Sequence, residues 1–103
     1  MVNKKLTSKI ILETIKKERK KLKEKGVKEI GLFGSYAKDN QKKGSDIDFL
    51  VEFKEIDFDN YIELIFFLKK LFKRKIDLVI EKNLKPELNY VKKEAKYVKI
   101  WKK

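Results

Sequence analysis

Residues 31–53 read GLFGSYAKDNQKKGSDIDFLVEF, and the fold turns on how this stretch is parsed. Ile47 to Phe53 alternates, with Ile47, Phe49, Val51 and Phe53 on one side and Asp48, Leu50 and Glu52 on the other. That period of two predicts a strand with one apolar face, and Asp46 and Asp48 stand at its beginning. Upstream, Val27 to Phe33 reads as a short strand running into Gly34-Ser35 and a brief helical turn around Tyr36 to Asp39. Two acids spaced i, i+2 at the head of an oily strand need explaining in a chain with 28 Lys and Arg against 16 Asp and Glu.

Outward from this stretch the pattern alternates helix and strand. Residues 8–25 predict a helix, with Thr7 or Ser8 as its cap, Ile11, Ile15 and Leu22 at helical spacing, and Gly26 as a left-handed stop. Asp59 to Phe72 repeats Tyr61, Leu64, Ile65, Leu68 and Phe72 on one helical face. Lys75 to Ile80 (KIDLVI) reads as a third strand, with Ile76, Leu78 and Ile80 on one face and Asp77 on the other. Pro86, the only proline, suits the first turn of a helix through about Lys96, and Tyr97 to Trp101 reads as a short extended or irregular tail. Interleaved strands and helices predict an α/β or α+β fold, a small mixed sheet covered by helices. No repeat, low-complexity tract or Gly/Ser-rich linker divides the chain, so 1–103 reads as one domain.

Composition narrows the chemistry. With no Cys and no His, disulfides, thiol nucleophiles, an imidazole base and thiolate or imidazole metal sites are excluded, and any metal must be held by oxygen. No apolar run approaches the ~20 residues that cross a bilayer, and MVNKKLTSK lacks the apolar core of a signal peptide, so the expectation is a cytoplasmic chain with no membrane partner. The net charge of +12 suggests an acidic or phosphate-bearing partner. The same Lys/Glu/Ile richness also marks heat-adapted proteins.

Asp46, Asp48 and Asp77 can act together. Residues i and i+2 on a strand point the same way, about 6–7 Å apart, so both carboxylates can converge on one cation. If the strands of Asp48 and Asp77 are neighbours, a third carboxylate joins at about 4.8 Å. Such a set repels itself unless a cation sits among it, and hard oxygen donors with room for water and phosphate select Mg²⁺ or Mn²⁺. Two such ions can activate a hydroxyl and stabilise phosphorus as pyrophosphate leaves. Gly34 and Ser35 supply the other half, because a glycine at a strand end lets phosphate approach the backbone. No GxxxxGK[ST] stretch is present, so this is not an ordinary P-loop.

GSYAKDNQKKGSDIDFLV at 34–51 resembles the signature of the nucleotidyltransferase superfamily related to DNA polymerase beta, in its shortest branch, the minimal nucleotidyltransferases of the MntA antitoxin type. Their pattern is close to GSxARGxxxxxSDIDLLV, matched without a gap at Gly34, Ser35, Ala37, Ser45, Asp46, Ile47, Asp48, Leu50 and Val51. KIDLV at 75–79 resembles the branch's third-Asp strand, and LKPELNYVKKEAKYV at 84–98 its closing helix and tail. The resemblance implies that Asp46, Asp48 and Asp77 are catalytic and bind two metal ions. It implies that Gly34 and Ser35 hold the β and γ phosphates of ATP, with Lys38 and Ser45 also on the nucleotide side. It further implies transfer of AMP to a tyrosine hydroxyl of a HEPN-type ribonuclease toxin, within a hetero-oligomer of toxin and antitoxin. Two departures stand out: Lys38 replaces Arg and loses its bidentate fork, and Asp39 replaces Gly and brings a negative charge towards the phosphate turn.

Each feature alone has a plainer reading. Gly34-Ser35 is common turn punctuation, Asp46-x-Asp48 also suits a solvated strand start after Gly44-Ser45, and Asp77 also suits an edge strand facing water. It is their joint order that favours the enzyme. Lys38 and Asp39 motivate a rival, an antitoxin that acts by binding alone. The +12 charge motivates another, a nucleic-acid-binding regulator. Against the latter, the Lys-rich face of residues 16–28 is broken by Glu18 and Glu24, as in a solvated helix with i,i+4 pairs, and lacks interleaved aromatics. Phe66 and Phe67 lie off the apolar stripe of their helix and predict an exposed interface.

Overall fold

A computed structural model describes residues 5–101. Four strands form one mixed sheet: β1 (Val27–Phe33), β2 (Ile47–Phe53), β3 (Ile76–Ile80) and β4 (Lys96–Lys99), in the spatial order β3-β2-β1-β4. β1 pairs antiparallel with both β2 and β4, while β2 and β3 run parallel. The helix α4 (Phe58–Phe72) makes the crossover between the parallel strands, as a parallel pair requires.

The core lies on one face of the sheet. Ile30 and Leu32 from β1, Phe49 and Val51 from β2, Leu78 from β3 and Val98 from β4 are buried there against Ile11, Ile15, Leu22, Leu64 and Leu68 of the helices. Phe49 packs on Phe72 with ring centroids 6.0 Å apart. The period-two reading of residues 47–53 therefore gives the inward and outward sets correctly. Leu50, on the outward set, is nevertheless only 1% exposed. It pairs with Gly31, whose missing side chain makes room for Tyr97: a Cβ at Gly31 would lie 2.7 Å from the Tyr97 ring. Tyr97 reaches far enough across this second face to hydrogen-bond Glu81, 3.1 Å away.

Several boundaries differ from the sequence reading. The helix expected over 8–25 is two, α1 (Ser8–Lys17) and α2 (Arg19–Glu24), separated at Glu18, whose φ of −95° and ψ of 14° leave the helical region. Thr7 is the cap, its hydroxyl accepting from the Ile10 amide at 3.2 Å, and Gly26 takes φ +81° as expected. The turn expected at 36–39 is α3 (Gly34–Ala37), beginning at the glycine itself. Instead of one helix from Pro86 to Lys96 there is a 3-10 turn (Pro86–Leu88), a helix α5 (Asn89–Glu94) and then β4, which begins where helix was expected. Pairing with β1 decides that last segment, a non-local term absent from its local pattern. No helix of the described residues is long and apolar enough to cross a membrane. Of the two off-stripe aromatics, Phe66 is exposed while Phe67 is partly buried beneath Lys25.

Candidate active site

Strand order assembles the site. β2 lies between β1 and β3, so the turn that ends β1 and the Asp of β3 come to either side of Asp48. In the antiparallel pair Phe33 is opposite Asp48; in the parallel pair Asp77 is opposite Asp48. Asp48 and Asp77 are each the second residue of their strand, and both face away from the core. Asp46 precedes β2 and is exposed, as is Asp77, whereas Asp48 is half-buried.

Electrostatics single out Asp48. Its carboxyl is pushed up to about 6, first by burial, then by the charge of Asp77 and a hydrogen bond between the two carboxyl groups, and also by the charge of Asp46. Paired carboxylates that crowd one another hold a proton that a cation would displace. The candidate donors are carboxylate oxygens, the chemistry of Mg²⁺ or Mn²⁺ sites. The structure brings Asp48 and Asp77 into hydrogen-bond contact, whereas oxygens of Asp46, Asp48 and Asp77 do not all lie within 4.8 Å of one another.

Gly34 is tied to this carboxylate more closely than the sequence reading foresaw. It has φ +75°, a conformation side chains disfavour, and a Cβ built on it would overlap Oδ2 of Asp48. The glycine thus does two things: it turns the chain from β1 into α3, and it leaves space for the Asp48 side chain. Ser35 follows in the first turn of α3, its carbonyl accepting from the Lys38 and Asn40 amides at 3.2 and 3.0 Å.

The remaining nucleotide-side expectations fall differently. Ser45 Oγ accepts from the Lys42 amide at 2.9 Å, and the Ser45 amide donates to the Lys42 carbonyl at 2.9 Å, so this hydroxyl closes the turn before β2. Lys38 is exposed and pairs with Glu94 at 3.8 Å. The Asp39 carboxylate is held by the start of α1. At φ +55° Asp39 occupies the left-handed position that favours Gly, and its carboxylate accepts from the Ser8 amide and the Ser8 hydroxyl, both at 2.8 Å. These bonds hold its carboxyl below the usual range and place a negative charge at the N-terminus of α1.

Two neighbouring features were not foreseen. Helix α5 faces the turn across a cavity of about 240 Å³ lined by Phe33, Gly34, Lys38, Tyr90, Val91 and Glu94. The exposed ring of Tyr90 stands in a segment that reads from sequence only as polar helix. Further along the same sheet face, Glu29, Glu52 and Glu81 bring carboxylate oxygens within 4.8 Å of one another. Burial and the other two glutamates hold the Glu29 carboxyl above its usual range. The sequence signal for this cluster was the outward parity of Glu29 and Glu52 on their strands, uninterpretable before the register was known.

The protein adenylyltransferase MntA of Thermococcus cleftensis is 40% identical over 96 residues, covering 90% of this chain and 97% of its own. A solved structure ascribed to the minimal nucleotidyltransferases superposes with a TM-score of 0.69 at 31% identity, over 82% of this chain and 93% of that one. A complex of tri-AMPylated Shewanella oneidensis HEPN toxin with its MNT antitoxin shares the fold, with a TM-score of 0.59 at 24% identity, over 87% of this chain and 71% of that chain. The family described as nucleotidyltransferase domain matches residues 12–102, and with the sheet order and the relatives it places this chain in that family.

Proposed function

We propose that the chain, acting as a single minimal nucleotidyltransferase domain over 1–103, transfers AMP from ATP to a tyrosine hydroxyl of a HEPN-type ribonuclease toxin and neutralises it as its antitoxin. The observation that carries the reading is the direct register of Asp48 with Asp77 across β2 and β3, with Gly34 fitted against Asp48 from the other side. The names of the relatives, a protein adenylyltransferase and an antitoxin complexed with an AMPylated HEPN toxin, supply the acceptor class. The toxin of that complex carries three AMP groups, so repeated transfer belongs to the reading.

In this reading Asp46, Asp48 and Asp77 hold two Mg²⁺ ions, and Gly34 with Ser35 holds the β and γ phosphates. When bound, the ions lower the pKa of the acceptor hydroxyl and neutralise charge as it builds on phosphorus. The chain's residues orient the partners. The turn at Gly34-Ser35 fixes the triphosphate, while Asp48, flanked by turn and Asp77, sets the distance between phosphate and acceptor. The acceptor oxygen bonds to the α-phosphorus, the bond from that phosphorus to pyrophosphate breaks, and the hydroxyl proton passes to solvent.

Asp39 and Lys38 motivated the reading of an antitoxin without catalysis. Because the Asp39 carboxylate is engaged with Ser8 and Lys38 lies in an exposed pair, neither opposes the enzyme. The test is incubation of the chain with α-labelled ATP, Mg²⁺ and a HEPN-type ribonuclease toxin. Label should appear on a toxin tyrosine with wild type and vanish with Asp46→Ala and Asp77→Asn. Unlabelled toxin with wild type, or equal labelling with Asp46→Ala, overturns the reading.

A further inference from the structure

A second concave site lies behind the glycine-serine turn. Its cavity of about 400 Å³ is lined by Lys5, Leu6, Tyr36, Gln41, Lys42, Lys43, Gly44 and Arg74. Four of these are cations and none is an acid, although the chain holds 16 acids. The ion pairs among the described residues join Lys21 to Glu18, Lys28 to Glu52 and Lys38 to Glu94, leaving these four cations outside all of them, although Lys5 lies near enough to the Asp39 carboxylate for its charge to help hold that group below its usual range. All four cations are exposed, and a cleft lined by one sign of charge concentrates a field that favours anions.

The walls are tied in place. Gln41 Nε2 donates to the Leu6 carbonyl at 2.8 Å, joining the segment before α1 to the loop before β2. The Lys42–Ser45 turn is closed by its two hydrogen bonds, and Gly44 within it takes φ +87°. On the far wall Lys73 ends α4 in the left-handed conformation, and the Arg74 guanidinium donates to the Lys73 carbonyl at 3.2 Å. Both walls lead straight into the strands of the active site. Gly44 is two residues before Asp46, and Arg74 is three before Asp77. At ~3.8 Å per residue, the α-carbons of each pair lie within about 8 and 11 Å. The Lys75 carbonyl accepts from the Ile47 amide at 2.9 Å and locks the two walls together.

We propose that this cavity is a second phosphate site, which holds the phosphodiester of an adenylate already attached to the acceptor and so presents its free ribose hydroxyl for the next transfer. The inference rests on repeated AMP transfer as proposed above. Its volume falls within the range of small-molecule sites, large enough for a nucleotide rather than an isolated ion. In the second transfer the ribose oxygen bonds to the α-phosphorus of a new ATP, pyrophosphate departs with the broken bond's electrons, and the ribose proton passes to solvent. The cationic cavity contributes position alone, which is why the first transfer, with a tyrosine acceptor, does not need it. This also gives part of the +12 charge a task that the metal site leaves unassigned.

The probe is 5′-phosphorylated diadenylate, titrated into the full chain carrying Asp46→Asn to prevent turnover. Replacing Lys43 and Arg74 by Gln should weaken its binding at least tenfold while ATP binding changes less than threefold. Removing two phosphate-facing cations should also make the slope of log K against log salt shallower by ~1.4. In the wild-type background the same pair of changes should leave formation of singly AMPylated toxin at its normal rate and abolish the second and third additions. Unchanged diadenylate binding in the double variant overturns the proposal, as does an equal loss of ATP or pyrophosphate binding, which would assign the cavity to the triphosphate. If wild type AMPylates nothing yet diadenylate binding still depends on Lys43 and Arg74, the proposed function fails while the phosphate site stands.

Discussion

Gly34 and Asp48 occupy one another's space: the hydrogen where glycine lacks a side chain points at the Asp48 carboxylate, and no Cβ fits between them. A turn that would otherwise read as a nucleotide contact is therefore also a wall of the proposed metal site. Gly34→Ala should damage both. Left-handed backbone costs a non-glycine residue ~1–2 kcal/mol, and Asp48 must move to clear the methyl. We expect a lower Tm with a folded chain, and AMP transfer reduced on the order of 100-fold, the scale expected when a reacting group is misplaced by ~1 Å. A variant with normal Mg²⁺ stabilisation and normal transfer would show that the contact is dispensable.

The raised carboxyl of Asp48 makes a stability prediction with a definite sign. Its folded value of about 6 lies above the ordinary 3.8, so the folded state binds more protons between those limits. Stability without metal must then fall as pH rises from about 4 to about 6, and the cost is fully present above that window. Asp48→Asn removes the cost. In chelator at pH 8 it should be more stable than wild type, by on the order of 1 kcal/mol once partial exposure is discounted, and this advantage should vanish near pH 4. Mg²⁺ at pH 8 should raise the Tm of wild type far more than that of the variant. Melting curves at the two pH values, with and without Mg²⁺, decide it.

Tyr61 links helix α4 to the strand of the third aspartate. Its hydroxyl donates to the Leu78 carbonyl at 2.7 Å, one residue beyond Asp77. Tyr61→Phe keeps the ring packing and removes the bond, so the expected loss is about 1 kcal/mol, measurable by urea unfolding. Because the bond anchors the residue after Asp77, transfer should slow by a smaller factor than in Gly34→Ala. A change in KM for Mg²⁺ at unchanged stability would contradict this assignment.

β2 and β3 were legible because Ile47, Phe49, Val51 and Phe53, and Ile76, Leu78 and Ile80, recur at every second position, and α4 because of its apolar stripe. β1, whose alternation is broken by Lys28-Glu29 and a register shift, was legible only as a short apolar run ending at Gly34. Asp77 was legible only conditionally. Its value depended on β3 lying beside β2, and nothing in KIDLVI states that neighbour; the crossover through α4 and the parallel register supply it. In 84–98 the helix was read too long, since α5 covers only Asn89–Glu94, while the extended reading from Tyr97 onward agrees with β4, whose start at Lys96 is set by pairing with β1 rather than by its own pattern. Lys38 and Ser45 were assigned to the nucleotide side by motif position, and Asp39 was expected to bring charge towards the phosphate turn. In the structure Lys38 pairs with Glu94, the Ser45 hydroxyl accepts from the Lys42 amide and the Asp39 carboxylate accepts from Ser8. The Asp39 partner lies 31 residues away, a separation no local pattern encodes.

That partner allows the replacement of glycine by Asp39 to be tested as a structural exchange. Asp39 loses the conformational ease of glycine at φ +55° and gains two bonds to Ser8, which satisfy a free amide of the first turn of α1. Asp39→Gly should keep the backbone and lose both bonds. Asp39→Ala loses the same bonds and adds left-handed strain. Asp39→Asn tolerates the conformation and retains an acceptor for the Ser8 amide. The expected order of Tm at pH 7 is wild type, Asn, Gly, then Ala. Since the Asp39 carboxyl is held below its ordinary value, its contribution is present above pH 4 and disappears as the pH falls through the folded value, so wild type and Asn should converge in acid. AMP transfer should survive in all three variants at temperatures where they are folded. An Asp39→Gly chain that is more stable than wild type, or one that transfers AMP many times faster, would show that the carboxylate acts on the phosphate turn after all.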